Sequence, residues 1–359
     1  MRILQERPAS VKAVLPQRRM SSTLHPRVRY RFVPAHLDLN PALHVSPIRV
    51  SEVSGHAALT LENDLIQVTV IPDLGGRIWD LVDRTRRVNW IWHRPNVPLV
   101  NCATGADYDT VWAGGWEELF PNDAPGPFEG RTLPDHGEWW ARNWAVTEIE
   151  DGETLRIRLT CQMGVIRARC VKEISLARGD SRVDVTYAIE SEEPLPFHFL
   201  FKQHLPLDIT PGCRLLLPDG LVTPVDSSFS TVLTSAEPTR WPGASRHPTD
   251  LADLSHVPSS SSRLQEFVYV SELQAGACRV INPEGATLAV SWDLATMPFL
   301  WLFLSYGGWR DVYTAVLEPC SNMPKDLAQA ASLGQAAVLR PGERFETWIS
   351  VTVGGEQSA

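Results

Sequence analysis

The stretch 154–190, TLRIRLTCQMGVIRARCVKEISLARGDSRVDVTYAIE, decides the fold class. Leu155, Ile157, Leu159 and Cys161 alternate with Arg156, Arg158 and Thr160, and Val183, Val185, Tyr187 and Ile189 alternate with Asp184, Thr186 and Ala188. Successive side chains of a strand point to opposite faces, so a period of two with one apolar set is a half-buried strand and not a helix. Between them Val165–Leu176 predicts a long second strand, and Ala177–Asp180 (ARGD) is a turn that joins it to the third as a hairpin. Three strands in succession joined by short turns make an antiparallel meander.

The same rhythm extends outward. Upstream, Ile66, Val68 and Val70 alternate with Gln67 and Thr69; Pro72–Gly76 turns the chain and RIWDLVD (77–83) supplies a partner strand, with the regular core expected from about residue 61. The glycine pair at 75–76 is not followed by GxGxxG or GKS/T, which removes a phosphate loop. Residues 90–143 form an irregular region too long to lack short elements of its own. Downstream, strands are expected at 213–217, 229–233, 265–273, 277–281, 287–292, 299–306, 313–317, 335–339 and 344–353. One short helix is expected over 324–331, capped by Asn322 and begun by Pro324. The Ser259–Ser262 run reads as part of an insertion within one domain. The expectation is an all-β chain of antiparallel sheets, with residues 1–26 a disordered N-terminal arm and 27–355 a single β-sandwich domain.

Composition narrows function. A net charge of −9 over 359 residues with no basic block excludes nucleic acid and an anionic membrane as partners. No apolar run reaches the length of a membrane span, and the first residues have no apolar core of a secretory signal. Six cysteines form no CxxC and no tight cluster with histidine, which suits a reducing, cytoplasmic setting and small apolar roles. Thirteen tryptophans against six tyrosines is the unusual feature, since the flat indole stacks well on the apolar face of a sugar ring.

Four of these tryptophans fall in GGWEELFPNDAPGPFEGRTLPDHGEWWARNW (114–144), among acidic residues, a His-Gly step and arginines. Unpaired charge is costly in a core, so this mixture predicts a recognition cleft that includes Trp116, Glu118, His136 and Arg142. In 195–204 one strand face carries His198, Lys202 and His204, a polar set suited to lining a cavity. Glu117 and Glu118 invite a glycosidase reading, but neighbours on a strand face opposite ways, so one is expected to bind sugar or arginine and the other to be structural. A metal site from Glu118, His136, His198 and His204 lacks ligand spacing, and no metal or cofactor is expected.

Taken together, IPDLGGRIWDLVD (71–83), GGWEELFPNDAP (114–125), DHGEWWARNW (135–144), FKQHLPL (201–207), VLEPCSNMP (316–324) and PGERFETWISVTVGG (341–355) resemble, in order, the aldose 1-epimerase (galactose mutarotase) superfamily, and its mutarotase-like branches most. The resemblance implies a galactose mutarotase-like β-supersandwich with a sugar-sized site and an isomerase of carbohydrate metabolism. It implies His204 as the acid toward the ring oxygen, Glu318 as the base toward the anomeric hydroxyl, and His136, Arg142 and Arg77 as sugar contacts. The family's sugar-binding aspartate falls on Asp219 or Asp293. The chain departs from the family pattern at Leu205-Pro206-Leu207, after His204, and at Pro319-Cys320, after Glu318. The alternatives are a carbohydrate-binding protein without turnover and a glycoside hydrolase or other sugar-processing enzyme. The expected partner is a small-molecule sugar, bound by a monomer or homodimer.

Overall fold

In the computed structural model of the chain, residues 28–30, 47–247 and 250–355 are described; the expected arm at 1–26 lies outside them. Among the described residues three large antiparallel sheets dominate. The nine-stranded sheet runs, edge to edge, through Val28–Tyr30, Ala145–Asp151, Thr154–Gln162, Ala168–Ala177, Arg182–Ser191, Arg344–Gly355, Ala286–Trp292, Ala277–Ile281 and Arg214–Leu216. The seven-stranded sheet runs through Thr239–Arg240, Leu221–Pro224, Leu264–Ser271, Phe299–Tyr306, Tyr313–Cys320, Lys202–Leu207 and Glu117–Leu119. A five-stranded sheet covers Ile48–Asn89, so regular structure begins before the expected residue 61: Ile48–Val53 pairs with His56–Glu62.

The meander forms as its alternation dictates. In Thr154–Gln162 every second side chain is buried, and Leu155 pairs with Leu176 and Ile157 with Ile174 on the next strand. Those residues share one apolar core with Leu205, Leu300, Leu302 and Leu304 of the seven-stranded sheet and with Leu61 and Val68 of the five-stranded one. Each such side chain contributes roughly 1.5–3 kcal/mol on burial, and the two larger sheets are thereby stacked as a sandwich.

The seven-stranded sheet is buried on both faces. Leu300, Leu302 and Leu304 face the core between the sheets, whereas Trp301 and Val316 join a second cluster with Leu200, Leu327 and, from the 90–143 region, Trp112, Leu119 and Trp140. That region carries a helical turn, Tyr108–Val111, and short strands. It closes the outer face of the sheet, and the cavity described below opens between them.

Three local expectations are corrected. The helix near 324 spans Leu327–Ser332 and is capped by Asp326, whose side chain accepts from the Gln329 N–H; Asn322 is instead buried, donating to Phe199 O. Residues 229–233 are loop; beside Leu264–Ser271 the sheet is continued by Leu221–Pro224 and ends at Thr239–Arg240. The 195–204 strand is two strands: Phe197–Phe199 pairs with Ala337–Leu339, and only Lys202–Leu207 enters the large sheet.

Candidate active site

The cavity is set by strand register. Lys202 pairs with Cys320 and Leu205 with Leu317, which places His204 opposite Glu318; on the other flank His204 pairs with Glu117, and beyond Glu318 lies Trp301. Glu117, His204, Glu318 and Trp301 therefore stand side by side on the outer face of four adjacent strands. Period two sends Glu118 and Gln203 to the opposite face, into the core between the sheets. There Glu118 accepts from Lys172 Nζ at 2.7 Å and from the Tyr187 hydroxyl at 2.5 Å. The carboxylates of Glu117 and Glu118 thus face different compartments.

On the outer face a cavity of about 270 Å³ is lined by Tyr108, Trp112, Asp123, His136, Lys202, His204 and Glu318 at one end, and by Phe229, Phe267, Phe303 and Trp309 along an aromatic wall, with Asp109, Asp226 and Lys325 also in its lining. Such a mixture of apolar wall and few convergent polar groups is that of a small-molecule site. His204 Nε2 lies 3.6 Å from Glu318 Oε1. Lys202 Nζ donates to Glu318 Oε2 and Asp123 Oδ2, each at 2.6 Å, and sits 4.3 Å from the centre of the Trp301 ring.

The His136-Gly137 step is built by backbone. His136 has φ 55° and Gly137 φ 69°, and a Cβ on Gly137 would lie 2.3 Å from Phe120 O, so only glycine fits there. The turn is tied by His136 N–H to Asp123 O at 2.8 Å and Glu138 N–H to Phe120 O at 2.8 Å. Asp135 then accepts from the Tyr108 N–H at 3.1 Å and pairs with His136 Nδ1 at 2.8 Å. This aims His136 Nε2 away from Asp135, with the ring stacked on Tyr108 at 4.0 Å.

Charge is distributed unevenly in this pocket. Burial opposes a proton on His136, but Asp123 and the bond to Asp135 outweigh it and hold the imidazole above its ordinary value. His204 is held well below its ordinary value, by burial first and then by Lys202, His136 and Arg77, so it is neutral. Burial pushes Glu318 up against the pull of Lys202, whereas for Asp123 the pull of Lys202 and His136 exceeds the effect of burial and the carboxyl lies below its ordinary value. Lys202 is raised: burial opposes its charge, and Asp123 and Glu318 more than compensate.

Of the residues singled out in the sequence, His136, Lys202, His204 and Glu318 line this cavity. The others are placed elsewhere. Glu118 is in the core, and Trp116 is fully buried with its Nε1 donating to Gln203 at 2.8 Å. Arg142 points outward to Gln162 O at 2.9 Å, near Glu138, with its side chain 38% exposed. His198 pairs with Glu129 at 2.6 Å on the far side of the break between its strand and Lys202. Arg77 is buried behind the cavity, donating to Gly114 O at 2.8 Å and to Glu117. Trp139, Trp140 and Trp144 are core residues, not cleft platforms. The four-residue metal set does not converge, and among the described residues no group of His, Cys, Asp or Glu is placed to hold a metal ion.

Tyr108, Trp112, Asp123 and Trp309 are cavity residues that the sequence reading did not select. Asp123 lines the cavity beside Lys202, whereas the two expected sugar-binding aspartates are elsewhere: Asp219 is exposed and paired with Arg240, and Asp293 faces a separate groove on the nine-stranded sheet. Asp123 stands in the quoted 114–125 motif, so its place in the motif was the available signal.

No family model and no curated protein matches the chain. Solved structures do. An aldose 1-epimerase candidate from Klebsiella pneumoniae is similar at 14% identity, with a TM-score of 0.68 over 91% of this chain and 87% of that one. A galactose mutarotase-like protein from Clostridium acetobutylicum is similar at 11% identity, with a TM-score of 0.61 over 86% of this chain and 98% of that one. Another galactose mutarotase-like protein, from Lactobacillus casei, is 13% identical, with a TM-score of 0.58 over 83% of this chain and all of that one. Identities this low carry architecture and not reaction: the chain has the galactose mutarotase-like β-sandwich fold.

Proposed function

We propose that the cavity binds a monosaccharide and interconverts its anomers, an aldose 1-epimerase-like isomerisation. The observation that carries this reading is the 3.6 Å approach of His204 Nε2 to Glu318 Oε1 at the polar end of an aromatic-walled cavity. The two oxygens that exchange protons in anomerisation, the C1 hydroxyl and the ring oxygen, are bonded to the same carbon. His204 and Glu318, this close together, can both address that one centre as acceptors, and His136 lines the same cavity as a donor.

In the forward step a proton leaves the C1 hydroxyl for an acceptor, C1=O forms, the bond from C1 to the ring oxygen breaks, and that oxygen takes a proton from a donor. Rotation about C1–C2 and reversal of both transfers give the other anomer. Glu318, whose carboxylate Lys202 stabilises against burial, and neutral His204 are the acceptors available. His136, the imidazole whose surroundings favour its charge, is the donor. This reassigns the acid that the resemblance places on His204, because burial beside Lys202 and His136 disfavours an imidazolium there.

The substrate favoured is an uncharged sugar. Lys202 is already matched by two carboxylates, and among the other charged lining residues Asp109 and Asp226 outnumber Lys325. The test is the rate of α/β exchange, read by NMR saturation transfer for a panel of free hexoses; no rate above the spontaneous one for any sugar that binds would refute turnover. One observation favours the second reading, a binding protein without turnover: the 2.6 Å ion pair with Lys202 weakens Glu318 as a base.

A further inference from the structure

A chain of buried side chains runs behind His204. Arg77 donates through Nη2 to Glu117 Oε2, the Tyr108 hydroxyl donates to Glu117 Oε1, and the same hydroxyl lies 3.2 Å from His204 Nδ1. Tyr108 also packs its ring edge-on to His204, with ring centres 5.7 Å apart, and Trp112 does the same at 5.0 Å. The imidazole is thus held by these two rings, with Nδ1 within hydrogen-bond distance of Tyr108 and Nε2 3.6 Å from Glu318 Oε1, beyond that distance, so only the Tyr108 side fixes its tautomer.

Hydrogen-bond capacity settles the direction of this chain. A guanidinium remains protonated and only donates, and its ion pair with Glu117 opposes the burial that pushes this carboxyl up, favouring the ionised acceptor. Tyr108 has a single hydroxyl proton, and of its two neighbours the carboxylate of Glu117 is the stronger acceptor because it is charged. That proton therefore goes to the carboxylate, and the phenol oxygen presents only a lone pair to Nδ1. A lone pair is satisfied there by an N–H and by nothing else.

We propose that Tyr108, held by Glu117 and Arg77, is a positioning residue that fixes His204 as the Nδ1-protonated tautomer, with the Nε2 lone pair directed into the cavity. His204 then meets the sugar as a proton acceptor. This deepens the isomerase reading and rests on it for its catalytic meaning, while the tautomer itself is a property of the sugar-free protein. Were Glu117 instead protonated, Arg77 would still donate to it but the two bonds beyond would reverse: Glu117 would donate to Tyr108, Tyr108 to Nδ1, and Nε2 would carry the hydrogen.

Long-range ¹H–¹⁵N NMR of the sugar-free protein at neutral pH separates the two, with the His204 signals assigned by their loss in His204→Gln. The expected result is a pyrrole-like Nδ1 and a pyridine-like Nε2 in the wild-type chain, moving to intermediate, averaged positions for both nitrogens in Tyr108→Phe. A protonated Nε2 in the wild-type chain, or a Tyr108→Phe pattern equal to the wild-type one, overturns the proposal. If Tyr108→Phe does not fold, the wild-type tautomer alone decides. Because no sugar is present, absence of anomer exchange would refute the isomerase reading without touching this result.

Discussion

Lys202 Nζ stands 2.6 Å from Glu318 Oε2, with both side chains only 2% exposed. A lysine this deeply buried keeps its charge only because Glu318 and Asp123 flank it, and they keep theirs because of it. The three form one electrostatic unit under the cavity, which links stability of the outer sheet face to its chemistry.

From that unit we predict that Lys202→Met destabilises the protein by about 3–5 kcal/mol, the cost of leaving buried charge without its partner. Urea unfolding measures it. A loss below about 1 kcal/mol, the scale of an exposed pair, would show that the unit is hydrated and not a closed one.

Glu318→Gln keeps the shape of the side chain and removes its capacity to accept a proton. We predict that anomer exchange falls by roughly 10²–10⁴-fold while sugar affinity stays within a few-fold, since Asp123 still matches Lys202. Polarimetry and titration calorimetry on the same preparation check both halves; full exchange in the variant would remove Glu318 from the mechanism.

The two cavity histidines impose opposite pH dependences on stability. The His136 value is raised on folding, so its contribution is complete below the unfolded value near 6.5 and is lost as pH rises through the folded value. The His204 value is depressed, so its neutral form costs nothing above about 6.5, and stability falls as pH drops below that toward the folded value. We predict that His136→Gln flattens the alkaline side of a Tm-versus-pH curve and His204→Gln flattens the acid side between 6.5 and the depressed value. Coincident curves for the two variants would contradict the assignment.

For the ligand, we predict that neutral hexoses bind more tightly than hexose phosphates or uronates, because Lys202 is matched by its two carboxylates and, among the other charged lining residues, Asp109 and Asp226 outnumber Lys325. Calorimetric titration of the three sugar classes tests this, and a preference for the phosphates would overturn it.

Trp144 separates packing from chemistry. It is buried against Trp139, ring centres 4.4 Å apart, and is absent from the cavity lining. We predict that Trp144→Ala costs roughly 3–5 kcal/mol of stability and leaves the exchange rate of the folded fraction unchanged. A variant that folds normally but loses exchange would place Trp144 in the site.

Local rules made much of the fold legible. Leu155, Ile157 and Leu159 alternate with arginines because one side of their strand meets the opposing sheet and the other meets water, and that asymmetry is written in residue type. The same alternation separated Glu117 from Glu118, and the family-like motifs brought out His136, His204 and Glu318. Asp326 was missed as a helix cap because Asn322 and Pro324 offered the same local chemistry a turn earlier.

Convergence was decided only in three dimensions. On the seven-stranded sheet Trp301 and Leu302 are both apolar and both buried, so hydrophobicity cannot say which face holds a cavity; the answer depends on what the 90–143 region covers. Arg142 and His198 carry site-like side chains, yet a turn directs one outward and a break between strands separates the other from Lys202. Asp123 and Tyr108 enter the site through contacts with Lys202 and His204, which are 79 and 96 residues away in the chain. A period of two reports which side of its own strand a residue takes. Which distant charge it meets there is fixed by sheet register and loop closure, and these are properties of the whole fold.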